Sequence, residues 1–281
     1  MEKKYKLTEE TINVANRTLY RIEALKDFAN IKKGDKGGFI ENESNLSQSG
    51  DCWIYYSAKV YDNARVLDNA KVYGNAEVFS NVVVCGNARV YGNAYVFGNA
   101  KVFDYADVYG NAMVFGNAEV YGCAEVCGNA QVYDEAKVYD NTMVCGDAIV
   151  YDNAKIYGYA LVGENAKVFD NAMVRGNADV YGNARIYGNA EVSGNAQVFG
   201  NAEICGDAVI TNKSDYILFK NWWSSGRFFT WTRSNNMWRV GCFYGTGKAL
   251  IDKAYKDSEM SGEEYERVVK YVEAILKANK L

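Results

Sequence analysis

The chain has 281 residues, 23% of them charged, with a net charge of −4 and a pI near 5.2. That balance argues against a general nucleic-acid binder, which is usually basic, and no run of 18 apolar residues exists to span a membrane. Histidine and proline are both absent, so the commonest general base and a common zinc ligand are missing.

The opening residues lead into no apolar stretch, so no secretory signal is expected and the expected setting is cytoplasmic. Residues 1–50 follow no repeat. Leu19-Tyr20-Arg21-Ile22 reads as a short strand and Lys33-Gly34-Asp35-Lys36-Gly37-Gly38 as a turn, with Phe39-Ile40 feeding the next element. An open end of stacked strands invites polymerisation. This segment is therefore predicted to be a cap.

From Ile54 to Ile210 every sixth residue is Val or Ile, 27 positions without a miss. Two residues before each, from Ala58 to Ala208, stands Ala, except at Val82 and Thr142. A unit reads Val72-Tyr73-Gly74-Asn75-Ala76-Glu77. Fixed short-period self-similarity is the mark of a solenoid. Val and Ala alternate with the residue between them, so both face inward, while Tyr73 and Glu77 face out. Gly or Asp followed by Asn makes the corner. Asn tolerates the left-handed region and is the residue expected to turn there. Three units close a triangular coil of 18 residues, and 27 units give nine coils. At ~4.8 Å between strands the prism is roughly 40 Å long. The absence of proline suits an unbroken ladder.

After Thr211 the composition changes. Trp222, Trp223, Trp231 and Trp238 lie here. Strands are expected at about 215–222, 227–233 and 237–243, separated by the turn sequences Ser224-Ser225-Gly226 and Ser234-Asn235-Asn236. One helix is expected from Thr246. A second opens with Ser261-Gly262-Glu263-Glu264, read as a capping box, and its apolar stripe is Tyr265, Val268, Val269, Val272, Ile275 and Leu276. The seven cysteines are odd in number and form no C-x-x-C pair, so free thiols are expected. Cys127 and Cys145 lie 18 residues apart and could stack on adjacent coils, where a disulfide is geometrically open.

An aliphatic residue followed four positions later by a small one, over 54–210, resembles the hexapeptide-repeat left-handed parallel β-helix superfamily. The implied fold class is mostly β: a left-handed parallel β-helix of about nine triangular coils (51–211), an N-terminal cap (1–50) and a small α+β C-terminal domain (212–281). Tyr20-Arg21-Ile22, Gly37-Gly38-Phe39-Ile40 and Gly241-Cys242-Phe243 give the chain a resemblance to hexapeptide-repeat proteins of bacteria and their phages, which are commonly labelled transferases. That label rests on the repeat. The phage side of the resemblance implies a role in phage–host conflict, by blocking a host protein or sequestering a small signal.

Hexapeptide acyltransferases, which the chain resembles in its repeat, generally use a histidine base near a loop that interrupts the coils. The related zinc carbonic anhydrases need histidine ligands. This sequence has neither histidine nor interrupting loop. Glu135 replaces Asn at one corner and reads as a tolerated polar substitution rather than a base. No catalytic residue, metal or cofactor is expected.

The residue after each Val forms three outward ladders. The first reads Tyr61, Phe79, Phe97, Phe115, Tyr133, Tyr151, Phe169, Tyr187, Cys205. Such stacking stabilises neighbouring strands. A continuous aromatic stripe is also a surface that monomers rarely leave bare. Phe79, Phe97, Phe115, Tyr133, Tyr151 and Phe169 are the candidate oligomer interface. The second ladder is interrupted by Cys127, Cys145 and Gly163, beside outward Met143 and Leu161, which suggests a shallow apolar groove. On the third, Asn is lost from the corners at Tyr105, Cys123 and Tyr159, next to Phe103, Tyr121, Tyr139 and Tyr157 and to outward Lys101, Lys137 and Lys155. Aromatics with lysines can take a base or sugar ring and an adjacent anion. These aromatic and lysine residues are the candidate ligand or partner site. The leading expectation is a non-catalytic interaction protein that binds a protein partner, a second copy of itself, or a small nucleotide or sugar. An acyltransferase-like enzyme and a carbohydrate-binding adhesin are the alternatives.

Overall fold

The alternation inside each hexapeptide dictates short strands joined by sharp corners. The computed structural model, which describes residues 2–223 and 225–279, shows them. The element order is β1 (Tyr5–Val14), β2 (Arg17–Ala24), β3 (Lys36–Ile40), then two-residue strands from β4 (Trp53–Ile54) to β30 (Val209–Ile210). There follow β31 (Tyr216–Lys220), β32 (Phe228–Thr232), β33 (Met237–Val240), β34 (Phe243–Gly245), α1 (Gly247–Asp257) and α2 (Glu259–Ala278). The two-residue strands stack in parallel into three nine-stranded faces, each pairing with the strand one coil away, as Val90 does with Val72 and Val108. The solenoid Val and Ala columns are fully buried and form one continuous core. Thr142, in an Ala position, is buried too, and its hydroxyl donates to the Tyr139 carbonyl at 3.0 Å.

The solenoid has about ten turns rather than nine. Ile40 pairs with Val60 and Leu46 bridges to Val66, so the segment before the repeat makes a further turn. This turn is wider: residues 40 and 60 are 20 apart, whereas Val60 and Val78 are 18 apart. The Val–Ala spelling is absent there, which is why periodicity did not reveal it. Gly37 and Gly38 belong to β3 rather than to a turn.

Corner geometry corrects the reading of Asn. The left-handed residue is the one before it: the glycines have φ of 65–81° and the Asp, Ser, Tyr and Glu residues that replace them have φ of 52–63°. Stacked glycine corners leave no room for a side chain. A Cβ on Gly74 would meet the Gly92 carbonyl oxygen at 2.9 Å. Where Asp stands instead, its carboxylate accepts the backbone N–H of the corner above, as Asp68 does from Gly86 at 3.0 Å and Asp170 from Gly188 at 2.9 Å. The Asn side chains stack into amide ladders, Asn81 donating to Asn99 and Asn99 to Asn117, both at 2.9 Å.

Backbone hydrogen bonds give the prism a direction. Within a typical unit, three N–H groups donate toward the C-terminal end: Tyr73 to Val90, Asn75 to Gly92 and Glu77 to Ala94. The N-terminal end is therefore rich in unpaired carbonyls and the C-terminal end in unpaired N–H groups, which must be satisfied when covered. Each cap supplies the matching chemistry. At the first turn, buried Lys4 donates Nζ to the carbonyls of Gly50 and Cys52, Tyr5 Oη to those of Glu43 and Leu46, and Asn45 Nδ2 to those of Asp62 and Ala64. At the last turn, the Thr230 hydroxyl accepts from Glu203 N–H, the Ser234 hydroxyl from Val209 N–H, and the Asp215 carboxylate from Thr211 and Asn212 N–H.

The N-terminal cap continues the first face as an antiparallel β1–β2 hairpin joined to β3. The C-terminal module is a four-stranded antiparallel sheet, β31-β32-β33-β34, with α1 and α2 packed against it. It has one strand more than the turn sequences indicated. Ser224, in the first of those turns, lies outside the described residues. Thr246 caps α1 as expected. Helix α2 begins earlier than its charge pattern suggested: Ser258 is the N-cap, accepting from Ser261 N–H, so Ser261 is already helical. Tyr265, Val269 and Val272 bury its apolar stripe. All seven cysteines are free thiols, Cys127 and Cys145 included. Among the described residues no helix is long and apolar enough to cross a membrane.

Candidate functional site

On the first face eight rings stack from Tyr61 to Tyr187 with centroids 4.7–5.2 Å apart and planes within 1–10°. That spacing is the strand separation itself, so each ring covers the face of the next and offers solvent its edge. The two ends of this ladder are already occupied. Leu19, Phe39, Ile12 and Val14 of the N-terminal cap pack on Tyr61 and Phe79, and Tyr61 is only 5% exposed. At the other end the Arg239 guanidinium lies over the Tyr187 ring, 5.6 Å from its centroid. Of the six interface candidates, Phe79 is thus partly taken by the hairpin. Phe97, Phe115, Tyr133, Tyr151 and Phe169 form the stretch between the two covers. Tyr95, Met113 and Ile149 stand in the neighbouring outward column, and Tyr95 is 41% exposed.

The third face brings Phe103, Tyr121, Tyr139 and Tyr157 into one stack, with centroids 4.7–5.0 Å apart. Its lysines are not equivalent. Glu119 stands between Lys101 and Lys137 and binds both, at 3.0 and 2.8 Å. These two ammonium groups hold the Glu119 carboxyl below the usual carboxylate range, the hydrogen bonds acting first and Coulombic attraction second. Lys155 carries no ion pair among the described residues. Sequence reasoning counted the lysines and overlooked the acid placed between them. The corner tyrosines project most: Tyr105 is 65% and Tyr159 68% exposed, on one edge with Cys123 and Asn141 between them.

On the second face, Leu161 leans toward the space a side chain on Gly163 would fill, its Cδ2 3.3 Å from that position, so the suggested groove is narrowed. Asp107, almost buried here, is bound by Arg89. Burial and a Cys127 hydrogen bond both push the Tyr109 phenol up, the hydrogen bond most. Glu135 at its corner accepts from Asn117 Nδ2 at 2.6 Å and so continues the amide ladder. No group of three or more Cys, Asp or Glu side chains with metal-binding geometry occurs among the described residues.

Two comparisons with known proteins find short stretches of similarity. Residues 178–200 match the family model of the YdcK β-solenoid repeat. A segment of 61 residues is 38% identical to a protein of Escherichia coli (strain K12) named uncharacterized acetyltransferase YdcK, covering 19% of this chain and 19% of that protein. Both matches agree with the stacked two-residue strands. The fold is a parallel β-solenoid built on a hexapeptide repeat.

Proposed function

We propose that the protein is a non-catalytic interaction module in which the rigid prism presents its first face to a protein partner, most simply a second copy of the chain. One observation carries this reading. The aromatic ladder already serves twice as a packing strip within the molecule, under the N-terminal hairpin and under Arg239, and Phe97 to Phe169 is the same strip without a cover. Apolar, flat and continuous, it has the character of an interface core. The third-face edge formed by Tyr105 and Tyr159 supports a second contact, with a ring-bearing ligand or a partner loop.

Capture from a bacterial lysate, with mass-spectrometric detection of proteins and small molecules, tests the reading. The wild type should retain partners that Phe97→Lys/Phe115→Lys loses. Equal retention by both would remove the first face from the account. The acetyltransferase name of the matched Escherichia coli protein keeps an enzymatic reading in view. Turnover of acetyl-coenzyme A by the pure chain would establish that alternative.

A further inference from the structure

Where the last coils meet the C-terminal sheet there is a cavity of about 510 Å³. Three arginines from distant parts of the chain converge on it: Arg185 on the first face, Arg227 just before β32 and Arg239 on β33. Glu203 is the carboxylate among its lining residues, so the wall carries three positive charges against one negative, in a chain whose net charge is −4. That carboxylate is committed. Its Oε2 accepts from Arg239 Nε at 2.7 Å, while Arg185 stays 4.0 Å from Oε1, beyond hydrogen-bond reach. Arg227 forms no ion pair among the described residues, and its stem lies along Gly241, which has no side chain to exclude it. The amides of Asn183 and Asn201 add further donors, and the Phe228 ring supplies a flat apolar wall.

The geometry points to an anion-binding site for a small phosphorylated molecule, separate from the aromatic edge of the third face. Guanidinium forks match phosphate oxygens in pairs, and Arg is the side chain best suited to planar recognition of such groups. The volume falls within the range of small-molecule pockets, about 300–1,000 Å³. A monoprotonated or fully ionised phosphate ester would be held by Arg185 and Arg227, with its organic part against Phe228. Arg239 keeps Glu203 turned away from the anion and is a positioning residue.

Isothermal titration of the full chain with inorganic phosphate, adenosine 5′-monophosphate and adenosine tests the site. Phosphate and the monophosphate should bind and adenosine should not. Arg185→Gln and Arg227→Gln should each weaken binding by about ten-fold or more, with an unchanged circular dichroism spectrum. A monophosphate that binds more tightly than phosphate assigns an ester as the ligand; equal affinities assign the free ion. Adenosine binding as tightly as its monophosphate, no binding of either anion, or full affinity in both arginine variants would overturn the proposal.

Discussion

The hydroxyl oxygen of Thr230 accepts the backbone N–H of Glu203 at 3.1 Å, and in doing so stands in for the carbonyl of a coil that is not there. Thr230 is buried in the middle of β32, under the end of the last turn. Thr230→Ala should destabilise the protein by about 1–3 kcal/mol, the cost of an unmet buried donor. Thr230→Ser keeps the oxygen but loses a buried methyl, and should cost less, about 0.5–1 kcal/mol. Urea denaturation of the three proteins measures both, and equal losses for Ala and Ser would show that packing, not the hydrogen bond, matters here.

Corner glycines should differ sharply from glycines elsewhere. Gly116 has φ +68° and an added Cβ would come 2.7 Å from the Asp134 nitrogen; Gly226 has φ +63° with nothing within 4 Å. Gly226→Ala should cost about 1–2 kcal/mol, the left-handed penalty alone. Gly116→Ala carries that penalty plus a backbone clash with the coil above, and should exceed it by at least about 1 kcal/mol. Matching denaturation midpoints for the two variants would contradict the tight coil stacking.

The mass in solution should exceed the 31.3 kDa of one chain. Light scattering on Phe97→Lys/Phe115→Lys should return the single-chain value, because two charges in the apolar strip cannot be buried without partners. A variant that scatters like the wild type would leave the first face as a stabilising ladder only.

Alkaline pH should weaken the prism through its ladder phenols. Burial pushes up the phenols of Tyr73, Tyr121, Tyr133, Tyr139 and Tyr151, and that of Tyr91 up to about 12. The unfolded reference is about 10. The folded state therefore holds these protons more tightly. Their contribution to stability is complete below about pH 10 and is lost as pH rises through the folded values. Denaturation midpoints should be similar at about pH 7 and pH 9 and fall clearly by about pH 11. A midpoint unchanged at the highest pH would mean that the ladder phenols ionise without cost.

The coil was legible because Val at one position and Ala four later leave a chain only one way to bury both. The ladders were legible for the same reason, since outward residues 18 apart must stack. What escaped the sequence depended on groups that repeat spelling does not encode. The wide first turn lacks the Val–Ala signature and is closed by its pairing to Val60 and Val66. The left-handed position fell to Gly, whose stacked corners leave no room for a Cβ, or to Asp, whose carboxylate accepts the N–H of the next corner, and neither follows from residue preference alone. Glu119 joined Lys101 and Lys137 through register, which a ladder-by-ladder reading of one column overlooked. The arginine cavity could not be seen at all, because Arg185, Arg227 and Arg239 are brought together only when the C-terminal sheet closes the last turn.

Like pairs with like along most of the prism, Val with Val and Asn with Asn, and this leaves folding with a degenerate alignment. A segment displaced by one full coil would find nearly the same partners, losing a single layer of contacts while keeping all the others. The interior therefore cannot choose its own frame, and a register error would cost little per residue. What distinguishes the correct alignment is confined to the two unlike ends: the widened turn locked by Lys4 and Tyr5, and the terminal N–H groups that fit only Thr230, Ser234 and Asp215. The caps are thus the bookends that set the count, and chains deprived of either should populate slipped and end-to-end joined forms.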